Sequence, residues 1–212
     1  MDLTSPIVIG FLASFFLLGI LALTSFVKIS VVFMIIRNAM GLQQIPSNAV
    51  LMALALFISL FISLPVITEA TNAIKQADIT PETPADFIAL WGIGIAPFQD
   101  FIVKNIDPDQ LDFFVGVSNE VWKGSGLVGT KDDFIIQLPS FMLTELTEAF
   151  EIGFLLYLPF VAIDLAVTGI LMAMGMQMVQ PNIISVPFKL LIFVLVNGWA
   201  KLVQGLILTY GG

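Results

Sequence analysis

The sequence contains no cysteine and no histidine. Without cysteine there is no disulfide, no thiolate metal site and no thiol nucleophile. Without histidine there is no Ser-His dyad, no two-histidine zinc helix and no imidazole base. Charge is scarce as well: 11% of residues are charged and 58% are hydrophobic, whereas a soluble domain is about a quarter charged. The bases number 8 against 16 acids, which argues against nucleic acid, since that partner demands a basic surface. The opening Met1-Asp2-Leu3-Thr4-Ser5 lacks a basic segment, so no secretory signal peptide is expected.

What remains is apolar. The 212 residues suit one domain or a small bundle. Four apolar stretches stand out: Pro6 to Val27, continuing past Lys28 to Met40; Ala49 to Val66; Ile152 to Met174; and Ile183 to Leu208. Each contains or approaches the roughly 20 residues that cross a ~30 Å hydrocarbon core. Taken whole, Pro6 to Met40 would be a helix of roughly 52 Å, well beyond one span. The third stretch holds Pro159 and Asp164, and the fourth holds Pro187, Lys189, Asn197, Lys201 and Gln204. On one unbroken helix the last four share a polar stripe within roughly 120°. Such a stripe should face protein or water.

The expected fold is all-α and membrane-associated, with two long helical hairpins (residues 1–70 and 139–212) and an acidic insert (71–138) between them. The insert region has acids in excess and is interrupted by Pro81, Pro84, Pro97 and Pro108. It should be solvated, with short helices. One is expected from Pro108 to Glu120, with Asp107 as N-cap. Lys28 and Arg37 in the 28–47 connection put that segment towards the cytoplasm, and the insert outside. Ala39-Met40-Gly41-Leu42-Gln43 before Pro46 is echoed by Ala173-Met174-Gly175-Met176-Gln177 before Pro181. Both read as a helix ending at glycine and a new helix opening near proline.

A few residues stand out chemically. Glu145, Glu148 and Glu151 recur every third position. They are either a carboxylate cluster for cations or basic partners, or a solvated face near a helix start, where the dipole favours acids. A di-metal site of that kind would normally include histidine. Asp164 within an apolar stretch is either a proton or ion relay or one half of an ion pair with Lys189 or another buried base, within or between chains. Met174, Met176 and Met178 are either flexible apolar filling or a deformable constriction. Lys28 and Arg37 could meet lipid head groups or acids of another chain. Gly124-Ser125-Gly126 lacks both the G-x-S-x-G form and a histidine partner, so it is no nucleophile turn.

Several segments together resemble one family. Thr24-Ser25-Phe26-Val27-Lys28-Ile29 is followed by Arg37-Asn38-Ala39 and Gly41-Leu42-Gln43-Gln44-Ile45-Pro46. Later come Glu145-Leu146, Ala149-Phe150-Glu151-Ile152-Gly153-Phe154, Leu158-Pro159-Phe160 and Asp164-Leu165. Met174-Gly175-Met176, Pro187-Phe188-Lys189-Leu190 and Gly198-Trp199 complete the set. In this order they resemble the SctR/FliP family, the R subunit of the type III secretion export gate. The Gly41-to-Pro46 turn is similar to the injectisome branch more than the flagellar one.

The resemblance implies bent helical hairpins in a pore-forming gate that conducts unfolded proteins across the bacterial inner membrane. It implies five copies of the chain with S and T subunits, the export machinery, rod, needle or effector proteins as partners, and contact with membrane lipid. It implies no cofactor, no metal, no nucleic acid and no enzymatic activity. Much of the assembled gate would sit on the periplasmic side. The family's methionine gasket maps onto Met174, Met176 and Met178, with Gln177 interrupting the run. Asn197 stands where the family commonly has Asp before Gly-Trp. Lys28, Glu145, Glu151 and Lys189 match charged family positions, and with Arg37, Glu148 and Asp164 they are candidates for intersubunit pairs. The rival reading is a small ion-coupled transporter built on Asp164 and the Glu145–Glu151 segment.

Overall fold

The structure, a computed structural model, describes residues 23–42, 44–80, 84–176 and 178–211. Among these residues it is all-α, with seven helices and no strand. They are α1 (Phe26–Ala39), α2 (Asn48–Gln76), α3 (Pro84–Lys104), α4 (Pro108–Val121), α5 (Phe134–Ala173), α6 (Pro181–Leu195) and α7 (Gly198–Leu208). Contacts divide the described residues into two compact units, one from 23–27 with 59–145 and the other from 28–58 with 146–211.

The two glycine turns form as their local chemistry dictates. After α1, Gly41 takes a φ of 77°, its N–H bonds Asn38 O at 3.0 Å, and Leu42 N–H bonds Arg37 O at 3.2 Å. After α5, Gly175 takes a φ of 73°, its N–H bonds Met172 O at 3.0 Å, and Met176 N–H bonds Leu171 O at 2.9 Å. Both are Schellman closures, in which a left-handed glycine satisfies carbonyls that the helix end would orphan. The following helices open at Asn48 and Pro181. A side chain at Gly41 would also meet Val186 Cγ2 at 2.7 Å.

The first apolar stretch does not form one long helix through Met40. Leu23 to Ser25 are turn and bend, and α1 begins at Phe26; Pro6 to Ala22 lie outside the described residues. At 14 residues, α1 rises only about 21 Å, too short to cross a bilayer. Its Ile29, Val32, Phe33 and Ile36 are buried and follow the i, i+3, i+4, i+7 pattern of a core-facing helix. Residues 28–47 are therefore mostly helix and not a loop. Lys28 is buried, so the charge asymmetry of that segment rests on Arg37.

Length and composition make α2 and α5 candidate membrane spans, and α6 with α7 a third that is bent by 62°. The bend breaks the expected polar stripe. Asn197 is left-handed, with φ 56°, so Lys189 lies on a different helix from Lys201 and Gln204. Asparagine tolerates that conformation better than most residues. Phe193 packs edge-on against Trp199 at 5.4 Å, and Trp199 against Phe33 at 5.9 Å, filling the inside of the corner.

The insert is more helical than expected. α2 runs on to Gln76, and Pro97 lies inside the 21-residue α3 instead of ending it. Pro84 and Pro108 open helices, where the missing N–H costs nothing. The helix from Pro108 forms as its sequence implies: Asp107 caps α4 by accepting from Asp109 N–H at 2.8 Å. Ile102, Phe141 and Leu23 form the core of this unit, with Phe98, Phe101 and Leu138 packed against it. Gln99 donates to Gln137 Oε1 at 2.8 Å, and Gln137 donates to Lys131 O at 2.8 Å, so the polar atoms beside that core are paired.

α5 is 40 residues long and contains Pro139 and Pro159 without a break. Gly153 on α5 allows α1 to approach closely: a Cβ there would lie 2.4 Å from Ile35 Cδ1. Gly169 on the same helix faces open space. Gly153→Val should therefore cost about 1–3 kcal/mol by overpacking. Gly169→Val should cost no more than a few tenths of a kcal/mol. Unfolding of the detergent-solubilised chain, followed by far-ultraviolet circular dichroism, compares the two.

Candidate functional site

Four of the charged residues singled out in the sequence, Lys28, Glu148, Asp164 and Lys189, form two nodes within the unit formed by residues 28–58 and 146–212. At the first, Lys28 from the first turn of α1 reaches Glu148 on α5 at 2.6 Å. Its Nζ also lies 4.2 Å from the centroid of the Tyr210 ring, a distance suited to cation–π attraction. Lys28 is 2% exposed. An ammonium so enclosed must be matched by an anion or by several acceptors.

At the second node, Lys189 on α6 reaches Asp164 on α5 at 2.5 Å. The same Nζ donates to Ala39 O at 3.0 Å. Ala39 is the last residue of α1, where carbonyls lack intrahelical donors and the dipole favours a cation. One ammonium thus ties α5 and α6 together and caps α1. Asp164 thus pairs with Lys189 within the chain.

The three glutamates do not act as one face. α5 begins at Phe134, so they sit well inside the helix and not near its start. Glu145 is fully buried, Glu148 pairs with Lys28, and Glu151 is exposed. Successive steps of three residues rotate each carboxylate by about 60° around the axis, which sends them to different surroundings. Arg37 does different work: its Nη1 donates to Pro46 O at 3.4 Å and to Asn48 Oδ1. It closes the turn between α1 and α2 over neutral acceptors.

The methionines lie on the turn between α5 and α6. Met174, Met176 and Met178 are exposed, Met178 almost completely at 99%. Gln177 lies outside the described residues. The sequence did not single out Tyr210, nor the Ala39 carbonyl as an acceptor for Lys189. Tyr210 is far from Lys28 in sequence, and no local pattern joins them. Gly198-Trp199 entered only through a resemblance, though the wedge it forms sets the bend between α6 and α7.

A double-substitution cycle tests the second node. Asp164→Leu alone leaves the Lys189 ammonium buried without its anion and should destabilise by about 3–5 kcal/mol. Adding Lys189→Leu should recover a large part of that loss, because no uncompensated charge is left. Chemical unfolding of the solubilised chain gives the four stabilities; additive losses would contradict the coupling.

This arrangement holds charges in pairs and displays apolar side chains at a turn; among the described residues it brings together no nucleophile and base. The FliP family model matches residues 8–206. The chain is 45% identical to a protein of Sinorhizobium fredii called a probable translocation protein, y4yL, over 97% of this chain and 95% of that protein. It is 42% identical to Yop proteins translocation protein R of Yersinia pestis, over 97% and 95%. It is 39% identical to the surface presentation of antigens protein SpaP of Salmonella typhi, over 88% and 87%. With a family match across nearly its whole length and relatives of this similarity, the chain belongs to the FliP family.

Proposed function

We propose that this chain is a pore-forming core subunit of a type III protein-secretion export gate, of the injectisome type, conducting unfolded proteins across the bacterial inner membrane. The observation that carries the reading is the glycine-set turn at Met174–Met178, which displays unbranched thioether side chains that make no core. Several copies around an axis would bring these turns together as a gasket that deforms around a passing chain. Relatives named for translocation support the secretion role, and names such as harpin secretion protein favour the injectisome branch.

In this reading the chain works as an N-terminal hairpin (1–70), an insert (71–138) facing the periplasm and a C-terminal hairpin (139–212) that carries the gasket. Five copies assemble with S and T subunits and lipid, and a large part of the complex lies on the periplasmic side. The subunit is a conduit and not an enzyme; energy comes from elsewhere in the export machinery. Lys28 and Lys189 hold the fold of each copy through their pairs, while exposed Glu151 and the Arg37 turn are available to neighbouring copies. The pairing of Asp164 with Lys189 favours this structural role over an ion relay.

Two measurements test the proposal. Native mass spectrometry of the complex, extracted after co-expression with the neighbouring membrane genes, should give several copies of this chain with two other small hydrophobic subunits. A partnerless monomer or homodimer would rule out the gate. In reconstituted complexes, Met176→Ala with Met178→Ala should raise resting ion conductance severalfold at unchanged complex yield; unchanged conductance would remove the gasket role.

A further inference from the structure

Between α2 and α7, within one of the two units, lies an open groove of about 570 Å³. Leu54 forms one wall, and Trp199, Val203, Gln204, Ile207 and Leu208 form the other. The volume falls in the range of ligand sites, roughly 300–1,000 Å³, but such sites carry a few convergent polar groups to fix a small molecule. Here the lining is apolar apart from Gln204. That chemistry suits a hydrocarbon chain, which needs burial and no hydrogen bonds.

The groove has a cation beside it. Lys201, Gln204 and Leu208 are spaced i, i+3 and i+7 on α7, so they share a face. Two of the three line the groove, which puts the Lys201 stem at its edge. Lys201 is exposed and, among the described residues, makes no ion pair. Long basic side chains bury their stems against apolar surface and carry the charge to the aqueous boundary. Trp199 sits one turn before Val203, and tryptophan favours the same boundary. α2, the wall opposite, is long and apolar enough to cross a bilayer.

We propose that this groove binds an acyl chain of an anionic phospholipid, with the Lys201 ammonium on its phosphate. The lipid lies against Trp199 and covers the apolar lining of the groove. The inference needs only that the chain resides in a membrane; it does not rest on the gate reading. Failure here leaves the subunit stoichiometry and conductance tests untouched.

The test uses Trp199 as the reporter. Trp91→Phe with Trp122→Phe leaves it the sole tryptophan of the full chain. The protein is reconstituted in vesicles of phosphatidylglycerol with brominated acyl chains, and in unbrominated vesicles for comparison. Bromine should quench Trp199 emission severalfold. Ala200→Phe or Val203→Phe, each of which fills the groove from its own lining, should restore most of the emission while circular dichroism shows unchanged helix content. Lys201→Glu should weaken quenching by brominated phosphatidylglycerol more than by brominated phosphatidylcholine. No quenching in the parent would mean that protein or water fills the groove, and would overturn the proposal. So would quenching that both filling variants leave intact, since that is general lipid exposure. An equal effect of Lys201→Glu on the two lipids would overturn the headgroup contact.

Discussion

A buried ammonium group is the constraint around which one unit of this chain is arranged. Lys189 meets it by facing two elements at once, the Asp164 carboxylate of α5 and the C-terminal carbonyl of α1. Burying the lysine costs several kcal/mol, while the Asp164 carboxylate stays partly exposed, so their attraction is no simple gain in stability. What it supplies is placement. A mispaired arrangement would strand a charge, so α1, α5 and α6 have few alternative registers. Lys28 repeats the device at the other end of α1, with Glu148 as the anion and Tyr210 covering the amine. A 14-residue helix is thus fixed at both ends by cations, with Gly153 admitting it closely against α5.

The features legible in the sequence were those decided within a few residues, or by a large energy. Asp107 before Pro108 announces a capped helix because the capping bond is local. Gly41 and Gly175 announce helix ends because few other residues adopt a left-handed backbone cheaply. Asp164 announced a partner because an unpaired acid among apolar neighbours is prohibitive. The relation to the FliP family was readable for a different reason: many short segments had to agree in order and spacing at once.

Other features were hidden because tertiary packing outweighed a local signal. Pro97 read as a break, yet it lies inside a helix, as do Pro139 and Pro159. Proline costs a helix interior about 3 kcal/mol, a penalty spread over helices of 21 and 40 residues that keep their other backbone bonds. Hydropathy also could not separate α1 from a span, since a core helix and a lipid-facing helix present the same composition. Only its length of 14 residues and its buried charge distinguish it. Asn197-Gly198 carried a turn signal, but the long apolar run around it read as one helix. The corner depends on Phe193 and Trp199 meeting across it, which no spacing rule conveys.

The length of α5 bears on how such a chain survives in a cell. Exposed apolar side chains run along it from Ile135 to Met172, a rise of roughly 55 Å, against a hydrocarbon core of ~30 Å. No upright placement in a bilayer clothes the whole helix. Some of that surface stays bare on a solitary copy and invites aggregation or proteolysis. A surface of that length is clothed more fully by other chains than by lipid alone, so the solitary copy is the form most open to proteases.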